Sequence, residues 1–113
     1  MINNNSIVYL YGFSTMLESK MINFNKIIKR QVNEDVLIST VFIHDGVIGT
    51  SQKSKISPHM KELLDLPINF YVLTPDLKAR GINVSNIYNR IKSIEYEDLV
   101  DMLAITSKIV SWM

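Results

Sequence analysis

Apolar and polar positions fall into blocks along this chain, and the blocks alternate between two periods. Ile7-Val8-Tyr9-Leu10-Tyr11 is a continuous apolar run that stops at Gly12, the pattern of a strand covered on both faces. Leu17, Met21, Phe24 and Ile28 then recur at i, i+4, i+7 and i+11, which lines one face of a helix. Thr15-Met16-Leu17-Glu18 has the spacing of a capping box for that helix, and its end is expected between Arg30 and Val32. Residues 36–44 read as a second buried strand, stopped by Asp45-Gly46. Residues 49–55 are small and polar, which predicts a mobile loop. Ser57-Pro58 sets a cap before a proline at the first helical position, so residues 58–66 form a short helix ending before Pro67.

Residues 68–73 repeat the apolar run and make a third strand. Thr74-Pro75 repeats the cap-then-proline device, and the short helix that follows runs to Arg80 and closes on Gly81. Residues 82–90 read as a turn or one helical turn. Residues 91–94 form a fourth strand. Tyr96, Leu99, Val100 and Leu103 sit at i, i+3, i+4 and i+7 and give a last helix. Ile109, Val110 and Trp112 give a final short strand. Short apolar strands separated by helices predict the α/β class: a three-layer α/β/α sandwich on a mostly parallel sheet of four to five strands, with right-handed crossovers. No repeat, linker or low-complexity stretch divides the chain, so residues 1–113 are expected to be one domain.

Composition agrees with a folded domain. A chain of 113 residues should remove roughly 65% of its unfolded surface from water, enough for a core without staples. The 47% hydrophobic and 20% charged content is ordinary for a globular protein. A net charge of +1 supplies no strong field for nucleic acid or an acidic membrane. Lys26, Lys29 and Arg30 cluster where the first helix ends, where they complement its dipole; RNA contact is the competing use. The chain has no cysteine, which excludes disulfides, thiolate metal sites and a cysteine nucleophile. Met1-Ile2-Asn3-Asn4-Asn5 is no signal peptide. No apolar run approaches the ~20 residues that cross a bilayer, so a cytoplasmic location is expected.

In an open α/β sheet, ligands bind beyond the carboxyl ends of the strands. Residues 12–15, 45–50 and 74–76 fall there. The first segment opens a helix and can be a structural cap or an anion site, but it holds a single glycine and no phosphate-loop pattern. Gly46 and Gly49, with no Lys-Ser/Thr behind them, read as a tight turn more readily than as a phosphate cradle. His44 and Asp45 are neighbours on a strand and point to opposite faces, so adjacency does not make them a dyad. Asp45 is expected to cap the turn with its own side chain, and His44 to line an interface. His44 and His59 have no spacing for zinc. Glu95, Glu97, Asp98 and Asp101 favour the start of the last helix, or form a docking surface for a basic partner. Trp112 is either tucked on the core or an interface anchor. Met16 and Met60 also suit contacts between subunits.

Three segments carry a resemblance. Phe42-Ile43-His44-Asp45-Gly46-Val47 is an apolar strand ending in Asp-Gly-Val. Phe70-Tyr71-Val72-Leu73-Thr74-Pro75-Asp76-Leu77-Lys78-Ala79-Arg80-Gly81-Ile82 is a strand followed by Asp-Leu-x-Ala-Arg-Gly. Ile94-Glu95-Tyr96, Leu99-Val100 and Ser111-Trp112 close the chain. Together with the first strand and its Ser14-Thr15 turn, they resemble the DsrH/TusB family, within the wider DsrE/DsrF/DsrH-like group. Glu95 stands where that family often has Asp, and residues 51–59 fit its pattern poorly.

The resemblance implies a non-catalytic subunit in an oligomer with cysteine-bearing DsrE-like and DsrF-like subunits. A TusA-like carrier is a further partner, any tRNA contact is indirect, and there is no cofactor. Such complexes pass persulfide sulfur toward wobble-uridine 2-thiolation of tRNA or within dissimilatory sulfur oxidation. Persulfide relay needs a thiolate, which this chain lacks. His44, Asp45, Gly46, Asp76, Arg80 and Trp112 are the expected interface or pocket residues. Arg80 is expected to pair with Asp76 at i, i+4, a surface contact worth about 0.3–0.5 kcal/mol. The alternatives are a flavodoxin-like module for a small ligand or nucleotide, carried by residues 12–15, and an enzyme using His44 and Asp45.

Overall fold

The computed structural model describes residues 3–53 and 55–113. Among the described residues there are five strands, β1 Asn3–Tyr11, β2 Leu37–Phe42, β3 Asn69–Leu73, β4 Ile91–Ile94 and β5 Thr106–Trp112. Four α-helices join them: α1 Glu18–Gln31, α2 Pro58–Leu64, α3 Thr74–Ala79 and α4 Tyr96–Ile105. The sheet order is β4-β3-β2-β1-β5, and every neighbouring pair is parallel. The expectation of a mostly parallel sheet in a three-layer α/β/α sandwich is met by five wholly parallel strands.

The two-residue period of each strand sorts its apolar side chains between two cores. Ile7, Tyr9 and Tyr11 of β1, Ile38 and Phe42 of β2, and Phe70 and Val72 of β3 face one side. There they meet Met21, Phe24 and Ile28 of α1 and Met60, Leu63 and Leu64 of α2. Each such side chain contributes roughly 1.5–3 kcal/mol on burial. The opposite side gathers Val8, Val41, Ile43, Leu73 and Ile94 under Leu99, Met102 and Leu103 of α4.

Local details depart from the sequence reading where a distant partner competes. The Thr15 capping box does not form. The cap position is Leu17, and the buried Thr15 hydroxyl donates to the Ile48 carbonyl at 2.8 Å. Residues 49–53 are pinned and are no free loop. Ser51 bridges Ile87 in antiparallel fashion, and Tyr88 N–H and Gln52 N–H donate to the Thr50 and Asn86 carbonyls. Ser57 caps α2 as expected, its hydroxyl accepting from Met60 N–H at 3.0 Å. Thr74 lies inside α3 and makes no cap bond. That helix closes on a left-handed Gly81, with Ile82 N–H donating to the Leu77 carbonyl and Gly81 N–H to that of Lys78, a Schellman end. Met60 is core at 1% exposure, which removes it from any interface, whereas Met16 is exposed.

Tyr11 sits at the end of β1 with its ring against Phe24, Phe42, Phe13 and Trp112. Its hydroxyl is buried and has no partner among the described residues. Burial pushes the phenol up from 10.0 to about 12. The proton is therefore held more tightly in the folded chain than in the unfolded one. The stability this proton supports is intact below pH 10 and is lost as pH rises through the interval from 10 to about 12. Tyr11→Phe should flatten that alkaline decline in urea unfolding, and at pH 7 it should stabilise the fold by about 1 kcal/mol by removing an unsatisfied hydroxyl. An unchanged alkaline profile would show that Tyr11 does not titrate there.

Candidate functional site

Beyond the carboxyl end of β2 the chain makes a tight 3₁₀ turn, His44–Val47, and Asp76 and Arg80 converge with His44, Asp45 and Gly46 on it. Ile43 N–H donates to the Tyr11 carbonyl at 3.0 Å, and Gly46 N–H donates to the Ile43 carbonyl at 2.7 Å. Gly46 folds so closely over β1 that a Cβ there would lie 2.0 Å from the Tyr11 carbonyl oxygen. Only glycine tolerates that approach. His44 takes a left-handed backbone conformation with φ 49°, uncommon for a residue with a side chain.

The turn is held from outside. Asp76 lies in the first turn of α3, 8% exposed, and its Oδ2 accepts from His44 N–H at 2.7 Å. Arg80, at the other end of α3, donates through Nε and Nη2 to Asp45 Oδ1 at 3.3 and 3.1 Å. Its Nη1 reaches the Asp76 backbone carbonyl at 3.4 Å. The Asp-Gly segment and the Asp-Leu-x-Ala-Arg segment are thus one latch built from two ends. This corrects two expectations. Arg80 pairs with Asp45, and touches Asp76 only through its backbone. Asp45 spends its carboxylate on Arg80 and does not act as a simple turn cap. Sequence spacing could not show this pair, because its partners are 35 positions apart.

The side chains of His44 and Asp45 are exposed at the surface. The latch is a surface feature, and a groove of about 420 Å³ between Gln52, Ile56, Leu64 and Arg90 is lined by none of these residues. Trp112 sits on the far side of β1. Its carbonyl accepts from Gly12 N–H at 2.8 Å, and its indole stacks over Tyr11 and meets the Phe24 edge at 5.3 Å. It is tucked on the α1-side core and does not join the turn. Within residues 12–15, Gly12 N–H donates to the Trp112 carbonyl and Thr15 N–H to the Ile48 carbonyl. Met16 N–H, just beyond, goes to the Ser14 hydroxyl. An anion would find those amides taken. Among the described residues no three His, Asp or Glu side chains gather as a metal site, and no helix is long and apolar enough to cross a membrane.

The Arg80–Asp45 pair is partly solvated, with the Asp45 side chain 65% exposed. Arg80→Ala should therefore cost at most about 1 kcal/mol in urea unfolding. A much larger loss would mean that the latch carries the turn through Arg80 and not through Asp76.

Five parallel strands, helices on both faces and a braced turn beyond the strand ends define a small three-layer α/β sandwich protein. The protein of unknown function MTH1491 from Methanobacterium thermoautotrophicum shares this fold with a TM-score of 0.71 and 15% identity, over 92% of this chain and 98% of that one. The ychN protein from E. coli shares it with a TM-score of 0.67 and 14% identity, over 95% and 98%. The family model described as DsrH like protein matches residues 19–109. Protein TusB of Erwinia tasmaniensis is 34% identical over 79 residues, 70% of this chain and 75% of that protein. The chain belongs to the DsrH/TusB family, as the Asp-Gly-Val, Asp-Leu-x-Ala-Arg-Gly and terminal Ser-Trp segments imply.

Proposed function

We propose that this chain is a non-catalytic, cytoplasmic subunit of a sulfur-relay complex. It assembles with cysteine-bearing DsrE-like and DsrF-like subunits, and a TusA-like carrier exchanges sulfur with the assembly. The sulfur passes to wobble-uridine 2-thiolation of tRNA or through dissimilatory sulfur oxidation, and tRNA meets this chain at most indirectly. The observation that carries the reading is the pairing of DsrH/TusB membership with a sequence that has no cysteine. Persulfide transfer proceeds by attack of a thiolate on sulfane sulfur. The companions therefore do the chemistry, and this chain shapes or docks them. The exposed His44–Asp45 turn, locked by Asp76 and Arg80, suits a rigid recognition element, since a pre-ordered loop loses little entropy on binding.

Co-expression with the DsrE-like and DsrF-like subunits of the same genome, followed by native mass spectrometry, tests the reading. A defined heteromer containing all three chains is expected. A chain that stays apart from both subunits would refute it.

A further inference from the structure

Helix α4 covers the second sheet face, yet none of its residues is buried. Leu99, Met102 and Leu103 turn toward the sheet and are partly buried. The sequence pattern puts Tyr96 and Val100 on that same stripe, but they are 54% and 64% exposed, and Ile105 is 51% exposed. Ile105 lies on the other flank of the helix, where it lines a separate small cleft of about 70 Å³ beside Leu37 and Val8. A helix apolar beyond the stripe that meets its own sheet has a second contact to make.

The charge on this helix says what kind of contact. Glu95 and Asp98 satisfy each other's backbone N–H groups in a capping box. Glu97 and Asp101 are exposed and have no ion pair among the described residues. The helix itself contains no Lys, Arg or His. A two-fold pairing of this surface with a second copy would set the same patch against itself. The carboxylates of both helices would then meet without a cation from either.

We propose that the outer face of α4, centred on Tyr96 and Val100 and rimmed by Glu97 and Asp101, docks a different protein subunit. The contact surface of that subunit is apolar at its centre and carries Lys or Arg at its rim. The sulfur-relay reading supplies the candidate occupants, so this proposal rests on it. Apolar burial at the centre sets the strength, and the opposed charges set partner choice and speed of encounter.

The test uses the co-expressed DsrE-like and DsrF-like subunits as probes and compares four chains: wild type, Val100→Asp, Glu97→Lys combined with Asp101→Lys, and Leu17→Asp as an exposed apolar control on the α1 side. Circular dichroism checks that each is folded, and titration by light scattering or native mass spectrometry reads binding. Val100→Asp should weaken the heteromer by at least about tenfold. The charge reversal should weaken it by about tenfold at low salt and remove most of its salt dependence. Leu17→Asp should bind as wild type does. A heteromer of full strength with Val100→Asp overturns the α4 surface and leaves the sulfur-relay reading standing. An unchanged affinity on charge reversal overturns the basic rim. A homodimer of the chain alone that Val100→Asp dissolves makes a second copy the occupant, against the proposal. A wild-type chain that binds neither subunit overturns the reading and the surface together.

Discussion

Gly46→Ala should lower the unfolding free energy by about 3 kcal/mol or more, the upper end of what forced overpacking costs. The added Cβ would stand 2.0 Å from the Tyr11 carbonyl oxygen. That atom is backbone at the end of β1, between β2 and β5, where it also accepts from Ile43 N–H. It cannot swing aside as the end of a flexible side chain would. Relief requires the 3₁₀ turn to lift off β1, which draws His44 away from Asp76. Gly81 offers the control. It is left-handed at φ 68°, but a Cβ there meets nothing within 4 Å. Gly81→Ala should cost only the conformational term of about 1–2 kcal/mol. Urea unfolding of both variants separates close approach from backbone preference. Equal losses would mean that the Gly46 contact is not what demands glycine.

Asp76→Ala should cost about 1–3 kcal/mol, because it leaves the His44 N–H beneath α3 without an acceptor. The same bond holds His44 in its left-handed conformation, so the turn should loosen as well, seen as faster amide exchange at residues 44–46. Asp76→Asn keeps a carbonyl oxygen where Oδ2 now accepts and should recover much of the loss. Equal damage from Asn and Ala would show that the charge matters more than the acceptor.

These effects also mark where the sequence could be read and where it could not. Strands β1 and β3 are legible because residues 7–11 and 70–73 are unbroken apolar runs, the pattern of strands covered on both faces. Ser57-Pro58 was legible for a local reason: its hydroxyl has no competitor for Met60 N–H. Thr15 had the same local credentials and failed, because the Ile48 carbonyl, 33 positions away, takes its hydroxyl. Periodicity found α4 but misjudged its face. Tyr96 and Val100 satisfy the i, i+4 spacing as well as Leu99 and Leu103 do, and nothing local says which stripe the sheet will choose. Five of the residues expected at an interface or pocket, His44, Asp45, Gly46, Asp76 and Arg80, meet at one turn, and the Asp-Gly and Asp-Leu-x-Ala-Arg strings that carry them are conspicuous in the sequence. Their wiring was not visible. The i, i+4 rule offered Asp76 to Arg80, but the fold brings Asp45 within reach and sends the Asp76 carboxylate to a backbone amide. For Trp112 the sequence leaves a tucked ring and an interface anchor as alternatives, and the parallel pairing of β5 with β1 tucks the ring on Tyr11.

The central claim is that sulfur passes through this assembly without ever being bonded to this chain. Intact-mass spectrometry of the co-expressed complex, loaded from a persulfide donor and then dissociated under non-reducing conditions, tests it most directly. The expected spectrum shows a one-sulfur increment on a cysteine-bearing partner and an unshifted mass for this chain. A one-sulfur adduct on this chain, removable by thiol, would contradict the account.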